Sequence, residues 1–248
     1  MAELTDWVRR IAAAQDPRVS QTTPVVRLLT HPLPTRPFPV AEAEVFLCAG
    51  VAVRRHPAGT DPHGLAERLA VLREPDLEPL WVQPLGYRPL TLPDGRLATV
   101  WPRVSVLSTL DKPPWQEAGR LLARLHRAGW VHGDFHLGHL AHTALRRSWK
   151  LVDPDRLATG SGVSDLGLPA AFHAAGLLEP DAWERLLTAY RASGGPAVPA
   201  GGDPWPALAS AAREAALSAA ARLPDRAEAQ PTIRALVAVA QGPVSLAD

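Results

Sequence analysis

The chain has 248 residues, 46% of them hydrophobic and 21% charged, with 26 Lys plus Arg against 25 Asp plus Glu. A net charge of +1 excludes a protein that works by coating nucleic acid or an anionic bilayer, and the apolar share excludes a disordered chain. Cys48 is the only cysteine, the N-terminus lacks the pattern of a secretory signal, and no apolar run approaches the roughly 18 residues of a membrane span, so the expectation is a cytoplasmic protein with neither nucleic-acid nor membrane partners.

Leu4, Trp7, Val8, Ile11 and Ala14 recur at helical spacing and predict an amphipathic helix over about the first fifteen residues. Prolines 24, 32, 34, 37 and 39 punctuate the next stretch of chain, leaving Val25–Leu29 as a candidate strand. Val45–Cys48 and Val51–Arg54 predict two strands that turn at Ala49-Gly50. Asp61-Pro62 is a helix start, since Asp caps free amides and Pro tolerates the first helical position; that helix is expected to reach Arg73. Apolar segments at 80–85 and 87–92, a turn at Pro93-Asp94-Gly95 and a strand over Leu97–Trp101 complete a strand-rich first hundred residues. Pro113-Pro114 opens a helix whose Trp115, Ala118, Leu121, Leu122 and Leu125 share one face, with Gly129 as its stop. A loop rich in His and Gly leads to a strand over Trp149–Val152, and helices are expected over Asp181–Ala192, Ala207–Arg222 and Thr232–Gln241.

The densest chemistry lies in His132-Gly133-Asp134-Phe135-His136-Leu137-Gly138-His139, followed by Leu151-Val152-Asp153-Pro154-Asp155. An acid in a tight loop, a potential ligand five positions on and a second acid after a strand suit phosphoryl transfer from a metal nucleotide. That reaction needs a carboxylate to orient the attacking hydroxyl and hard ligands for the divalent cation.

With Ser164-Asp165-Leu166 added, these residues resemble the aminoglycoside phosphotransferase family of the protein-kinase-like superfamily, and the His132–Gly138 loop is similar to that of its maltokinase-like branch. The resemblance is strongest from about Trp115 to Phe172. It implies an α+β, bilobal protein-kinase-like fold, with a strand-rich nucleotide-binding lobe over 1–104 and a helical lobe over 105–248 that carries the catalytic loop and the substrate site. It implies Asp134 as the catalytic base, Asp153 as the main metal ligand, His139 as the second, Asp165 as a brace for the loop, and Trp101, Arg103 and Val104 in the adenine-binding hinge. Asp155 is either a further metal neighbour or a solvated turn residue. ATP with Mg2+ is the implied cofactor, a small-molecule hydroxyl the implied acceptor, and a kinase the implied enzyme.

Three departures from the family pattern stand out. His139 replaces the usual Asn or Gln, and imidazole suits Mn2+ better than Mg2+. The first glycine is Gly50, so the turn expected over the phosphates, near His31 to Pro39, is proline-rich. The strand expected to end in the phosphate-binding lysine ends in Arg54-Arg55, and the only lysines, Lys112 and Lys150, lie elsewhere. Arg54, or Arg55, is therefore the expected phosphate ligand. Glu67 is its expected partner, with Glu74 a weaker choice, and strand alternation lets only one arginine face the cleft. His126 is expected to pack or to hydrogen-bond.

Two alternatives stay open. One keeps the fold as a pseudokinase or nucleotide-binding module. The other is a His/Asp metal hydrolase, because His132, Asp134, His136, His139 and His142 crowd eleven positions. Residues 179–228 hold seven acids against five bases, too even to trap a polycation, which leaves sugars, aminoglycosides and other metabolites as acceptors.

Overall fold

A computed structural model describes residues 2–28, 44–106, 113–143 and 146–242; the proline-rich turn near His31 to Pro39 and Lys112 lie outside them. The described residues divide into two units. The first takes residues 2–28 and 44–105 with the tip of a later hairpin (141–143 and 146–148), and the second takes 106, 113–140 and 149–242.

The first unit is built on an antiparallel sheet in the order β1-β2-β3-β5-β4, from β1 (Val25–Leu28), β2 (Glu44–Cys48), β3 (Val51–Arg55), β4 (Leu90–Thr91) and β5 (Leu97–Pro102). Helix α1 (Ala2–Gln15) sets Val8 and Ala12 on one sheet face, where they share a core with Phe46, Cys48, Val51, Val53, Ala98 and Val100. Those strand residues alternate with outward ones, as the period of two requires. The β2–β3 turn places Ala49 at a φ of 49°, and Arg103 N–H donates to the Gly50 carbonyl at 2.8 Å. Helix α2 (Pro62–Val71) starts as its Asp-Pro signal predicts, the Asp61 carboxylate accepting from His63 and Gly64 N–H. The apolar run near residue 80 forms no long strand. Leu77, Leu80, Trp81 and Val82 are instead buried in irregular backbone. A short β6 (Ser105–Val106) follows β5.

The second unit is mainly helical: α3 (Trp115–Arg127), α4 (Val163–Ala174), α5 (Pro180–Ala192), α6 (Trp205–Arg222) and α7 (Gln230–Gln241). Between α3 and α4 run β7 (Trp130–Val131), β8 (Leu140–Thr143), β9 (Arg146–Leu151) and β10 (Ala158–Thr159), with β7 paired to β10 and β8 beside β9. Helix α3 has the amphipathic face that its sequence predicts and buries Trp115, Ala118, Leu121, Leu122 and Leu125.

Helix α4 had no sequence signal. Its Asp165, Leu166, Gly167, Pro169, Ala170, Ala171 and Phe172 are all buried, so it lacks the polar face that creates periodicity, and Pro169 lies inside it. It lies on α6 at Gly167, where an added Cβ would stand 2.8 Å from the Ala211 carbonyl. His173, Trp183 and Trp205 stack with ring centroids 5.5 to 6.3 Å apart and tie α4 to α5 and the start of α6. No helix among the described residues is long and apolar enough to cross a membrane.

Helices α3 and α5 approach through Gly119, where an added Cβ would overlap the Leu186 carbonyl and crowd Tyr190 N at 3.0 Å. Gly119→Ala is expected to destabilise the protein by about 1–3 kcal/mol, because backbone rather than a flexible side chain must yield. Urea unfolding reads the loss, and an unchanged midpoint would show that the two helices are not close-packed there.

Candidate functional site

The site is built from a turn that the backbone can make only one way. After α3 stops at Gly129 (φ 82°), β7 delivers His132 and Gly133, and Gly133 sits at φ 80° with its α-carbon against the Arg156 carbonyl. A side chain at 133 would meet both a left-handed backbone and that carbonyl. Asp165, in the first turn of α4, closes the turn from below. Its Oδ2 accepts from His132 N–H at 2.6 Å and its Oδ1 from Gly133 N–H at 2.8 Å, with the residue 1% exposed. This is the bracing expected of Asp165.

His126 is also fully buried and lies 3.0 Å from Asp165 Oδ2 through Nε2, and 2.8 Å from the Tyr190 hydroxyl through Nδ1. The Tyr190 oxygen accepts from Ala197 N–H at 3.0 Å. One assignment satisfies every atom. Ala197 N–H donates to Tyr190, Tyr190 O–H to His126 Nδ1, and His126 Nε2–H to Asp165. Burial by itself would raise the Asp165 carboxyl, but the hydrogen bond from His126, the nearby histidines and the His132 amide hold it below the ordinary value. Burial raises the Tyr190 phenol to about 12, so it stays protonated. Gly162 leaves room for the His126 ring, which an added Cβ would overlap.

Three histidines follow in a stack. The His132 and His139 rings lie 4.8 Å apart at 12°, and those of His136 and His139 3.7 Å apart at 31°. His132 Nε2 donates to the Val152 carbonyl at 3.0 Å, and burial, with His139 beside it, lowers this imidazole to about 4. Burial likewise pushes His136 well below its usual value, and its Nδ1 accepts from Gly138 N–H at 3.0 Å. His132 and His136 are thus neutral packing rings, and the three rings are stacked rather than aimed at one point. Among the described residues no three His, Cys, Asp or Glu side chains gather to hold a metal, which removes the sequence basis for the hydrolase alternative.

His139 joins the two acidic positions. Its Nδ1 lies 2.9 Å from the Asp134 carbonyl, which can only accept, so Nδ1 carries a proton. Its Nε2 then faces Asp153 Oδ2 at 3.3 Å. Asp153 has a φ of 65°, a left-handed conformation uncommon for a residue with a side chain. Val152 N–H donates to the His139 carbonyl at 2.9 Å and locks the end of β9 to the loop. Nε2 and the carboxylate oxygen stand close enough to share a proton, or to take two neighbouring positions around one divalent ion.

Asp134 is half-buried, and its partner comes from an element that the sequence did not connect to the loop. Arg222 Nη1, at the end of α6, lies 3.6 Å from Asp134 Oδ1. Both line a cavity of about 400 Å3 that lies wholly inside the second unit. Its walls are the Gly133–His136 loop, Arg156, the start of α4, and the face of α6 from Ala207 to Arg222. Positions 207, 211, 215 and 219 of that face are all Ala and 210, 214, 218 and 222 are Ser, Glu, Ser and Arg, a four-residue period that reads like an ordinary solvent face.

In the first unit, Arg54 lies across from Val45 and Thr99 and is partly buried, while Arg55 is ion-paired to Glu44 and Asp94. Arg55 is therefore committed, as strand alternation requires of one of the two. Glu67 is 65% exposed and pairs with His63 at 3.1 Å, one turn away on α2; this pairing with His63 is not the Arg54 partnership expected from the sequence. Trp101 Nε1 donates to Thr99 Oγ1 at 2.8 Å, on the sheet face that holds Arg54. The Arg103 amide is already engaged by Gly50, and Val104 follows at the end of β5.

No protein-family model matches the sequence, and no curated protein sequence matches it either. Solved structures do resemble it. A microcompartment-associated aminopropanol kinase matches with a TM-score of 0.61 and 15% identity over 95% of this chain and 95% of that one. A choline/ethanolamine kinase family protein from Mesorhizobium loti matches with a TM-score of 0.47 and 14% identity over 96% and 100%. A spectinomycin phosphotransferase, APH(9)-Ia, solved with ADP and spectinomycin, matches with a TM-score of 0.43 and 8% identity over 86% and 88%. At these identities the likeness concerns the fold, and the first of the three carries it: the chain has an α+β, protein-kinase-like fold. Nothing in these likenesses singles out the maltokinase-like branch.

Asp165→Asn is expected to destabilise the protein by roughly 2–4 kcal/mol, since it sets an amide N–H against donors already in place. The wild-type carboxyl is held below its ordinary value, so its contribution is present above about pH 4 and is lost as pH falls through the depressed folded-state value. Acid-unfolding curves should accordingly be shallower for the variant, and parallel curves would show that this carboxylate is not the clamp.

Proposed function

We propose that the chain is an ATP-dependent phosphotransferase that moves the γ-phosphoryl group to a hydroxyl of a small molecule. The observation that carries this reading is the placement of Asp134. A braced loop holds its carboxylate at the wall of a cavity large enough for a small acceptor, and His139 joins the Asp134 backbone carbonyl to the Asp153 carboxylate.

In this reading Asp134 orients the acceptor O–H. The acceptor oxygen forms a bond to the γ-phosphorus, the bond from that phosphorus to the bridging oxygen breaks, and ADP leaves with the electron pair. The hydroxyl proton passes to the Asp134 carboxylate and then to solvent. Arg222, 3.6 Å away, holds the Asp134 carboxylate at the cavity wall. Asp153 and His139 would hold a divalent ion, Mg2+ or Mn2+, with phosphate oxygens and water completing its coordination; such an ion neutralises charge on the triphosphate. The first unit would bind the nucleotide. Arg54 takes the place of the phosphate-binding lysine, with a planar fork in place of a compact ammonium, and residues 101–104 form the hinge, with Val104 offering backbone groups in place of the engaged Arg103 amide. Glu67 would act there only if its side chain left His63.

A second reading, a nucleotide-binding protein without turnover, is favoured by the 3.3 Å contact between His139 and Asp153, which lets the two would-be ligands satisfy each other.

Asp134→Asn is expected to lower turnover by about 10²–10⁴-fold while nucleotide binding persists. Steady-state ADP release and a thermal-shift titration with ATP read the two effects, and unchanged turnover would remove Asp134 from the reaction. His139→Asn should move the preferred cation from Mn2+ toward Mg2+, because an amide offers oxygen in place of nitrogen. Equal responses of variant and wild type to the two metals would place His139 outside the metal site. Wild-type protein that is stabilised by ATP and metal yet turns over no acceptor would decide for the second reading.

A further inference from the structure

The cavity beneath Asp134 has a charge pattern that selects among acceptors. Four charged residues line it: Asp134, Arg156, Glu214 and Arg222. Asp134 and Arg222 are paired with each other at 3.6 Å, so together they bring no net charge. The other two face the same space without joining. Among the described residues Arg156 has no ion-pair or hydrogen-bond partner, and Glu214 has only a 3.4 Å hydrogen bond from the Ser210 hydroxyl. Arg156 belongs to the turn after Asp153 and Glu214 to the middle of α6, flanked one turn away on either side by Ser210 and Ser218.

From this arrangement, and resting on the phosphotransferase reading above, we infer that the acceptor is a small hydroxylated zwitterion. Its hydroxyl lies at Asp134, its ammonium at Glu214 with Ser210 and Ser218 as further hydrogen-bond partners, and its carboxylate at Arg156. Each simpler class of acceptor leaves one wall unmatched. A polycation would find one carboxylate outside the Asp134–Arg222 pair, Glu214, but would meet Arg156. A simple hydroxy acid would satisfy Arg156 and bring its charge against Glu214. A neutral polyol would leave both charges facing an uncharged ligand. Unmatched or like charge in a site is how specificity is set against near relatives. The volume agrees with a small molecule, since about 400 Å3 lies toward the lower end of the range of roughly 300–1,000 Å3 for such sites. Of the aromatic rings at the wall, Phe135 is buried and His136 is stacked on His139.

The test is a panel of acceptors matched in size. Homoserine, serine and a seryl dipeptide carry both charges, 1-amino-2-propanol only the positive, 3-hydroxybutyrate only the negative, and glycerol and glucose neither. Binding is measured by calorimetry on the full chain, and phosphorylation by ADP release with Mg2+ or Mn2+. The zwitterions are expected to lead the panel by about tenfold or more in affinity and in kcat/KM, since a site built for a charged group rejects the analogue that lacks it. Arg156→Gln should erase the advantage over 1-amino-2-propanol, and Glu214→Gln the advantage over 3-hydroxybutyrate. Both residues are exposed on the cavity wall, so both variants are expected to fold, which circular dichroism checks.

A neutral, singly charged or polycationic acceptor that outperforms the zwitterions, or two variants that leave the ranking unchanged, would overturn the inference and leave the phosphotransferase reading standing. Zwitterion binding without ADP release would keep the ligand class and overturn the reaction. Absence of zwitterion binding in calorimetry would overturn the ligand class whatever the reaction proves to be.

Discussion

A single buried carboxylate organises the loop that carries Asp134. Asp165 receives two successive backbone amides on one side and the His126 imidazole on the other, so three donors from two elements converge on two oxygens. A carboxylate removed from water demands such company, and the demand works in both directions. Satisfying Asp165 fixes the conformation of His132 and Gly133, and with them the position of Asp134. The relay continues through Tyr190 to the Ala197 amide, so helices α3, α4 and α5 meet at one hydrogen-bonded column. The glycines at 119, 162 and 195 let those pieces approach, because each faces a backbone or a ring where a side chain would collide.

Around that column the protein separates histidines by duty. His126 is a polar strut and His132 and His136 are neutral rings in a stack, while His139 reaches two acidic segments with its two nitrogens. The sequence presents His132, His136 and His139 as one crowded cluster with Asp134 and His142, which is why it leaves a metal hydrolase as an alternative to the kinase reading. Only the direction of each ring nitrogen distinguishes them.

The same contrast explains what could be read in advance. Helix α3 and the strands β2, β3 and β5 were legible because each buries one face and exposes the other, and Asp61-Pro62 announced α2 through its cap. Helix α4 was illegible because most of its residues are buried and it has no continuous polar face. The motif from His132 to Asp153, with Asp165, located the loop, because the chemistry demands those side chains at fixed separations. It could not disclose Arg222, which lies 88 positions beyond Asp134 and is one of 24 arginines, nor that Arg55 is ion-paired to Glu44 and Asp94.

Helix α6 carries a consequence for how such a protein can change. The loop that carries Asp134 is fastened from beneath by α3, α4 and α5, whereas one wall of the cavity is a face of α6, spelled every fourth residue in Ala, Ser and Glu. Substitutions at 207, 210, 214 and 218 can therefore reshape the cavity while the column that holds Asp134 stays untouched. On the proposed reading, recognition and chemistry are mutationally separable, and the arginine at the foot of α6 is the point where they are stitched together.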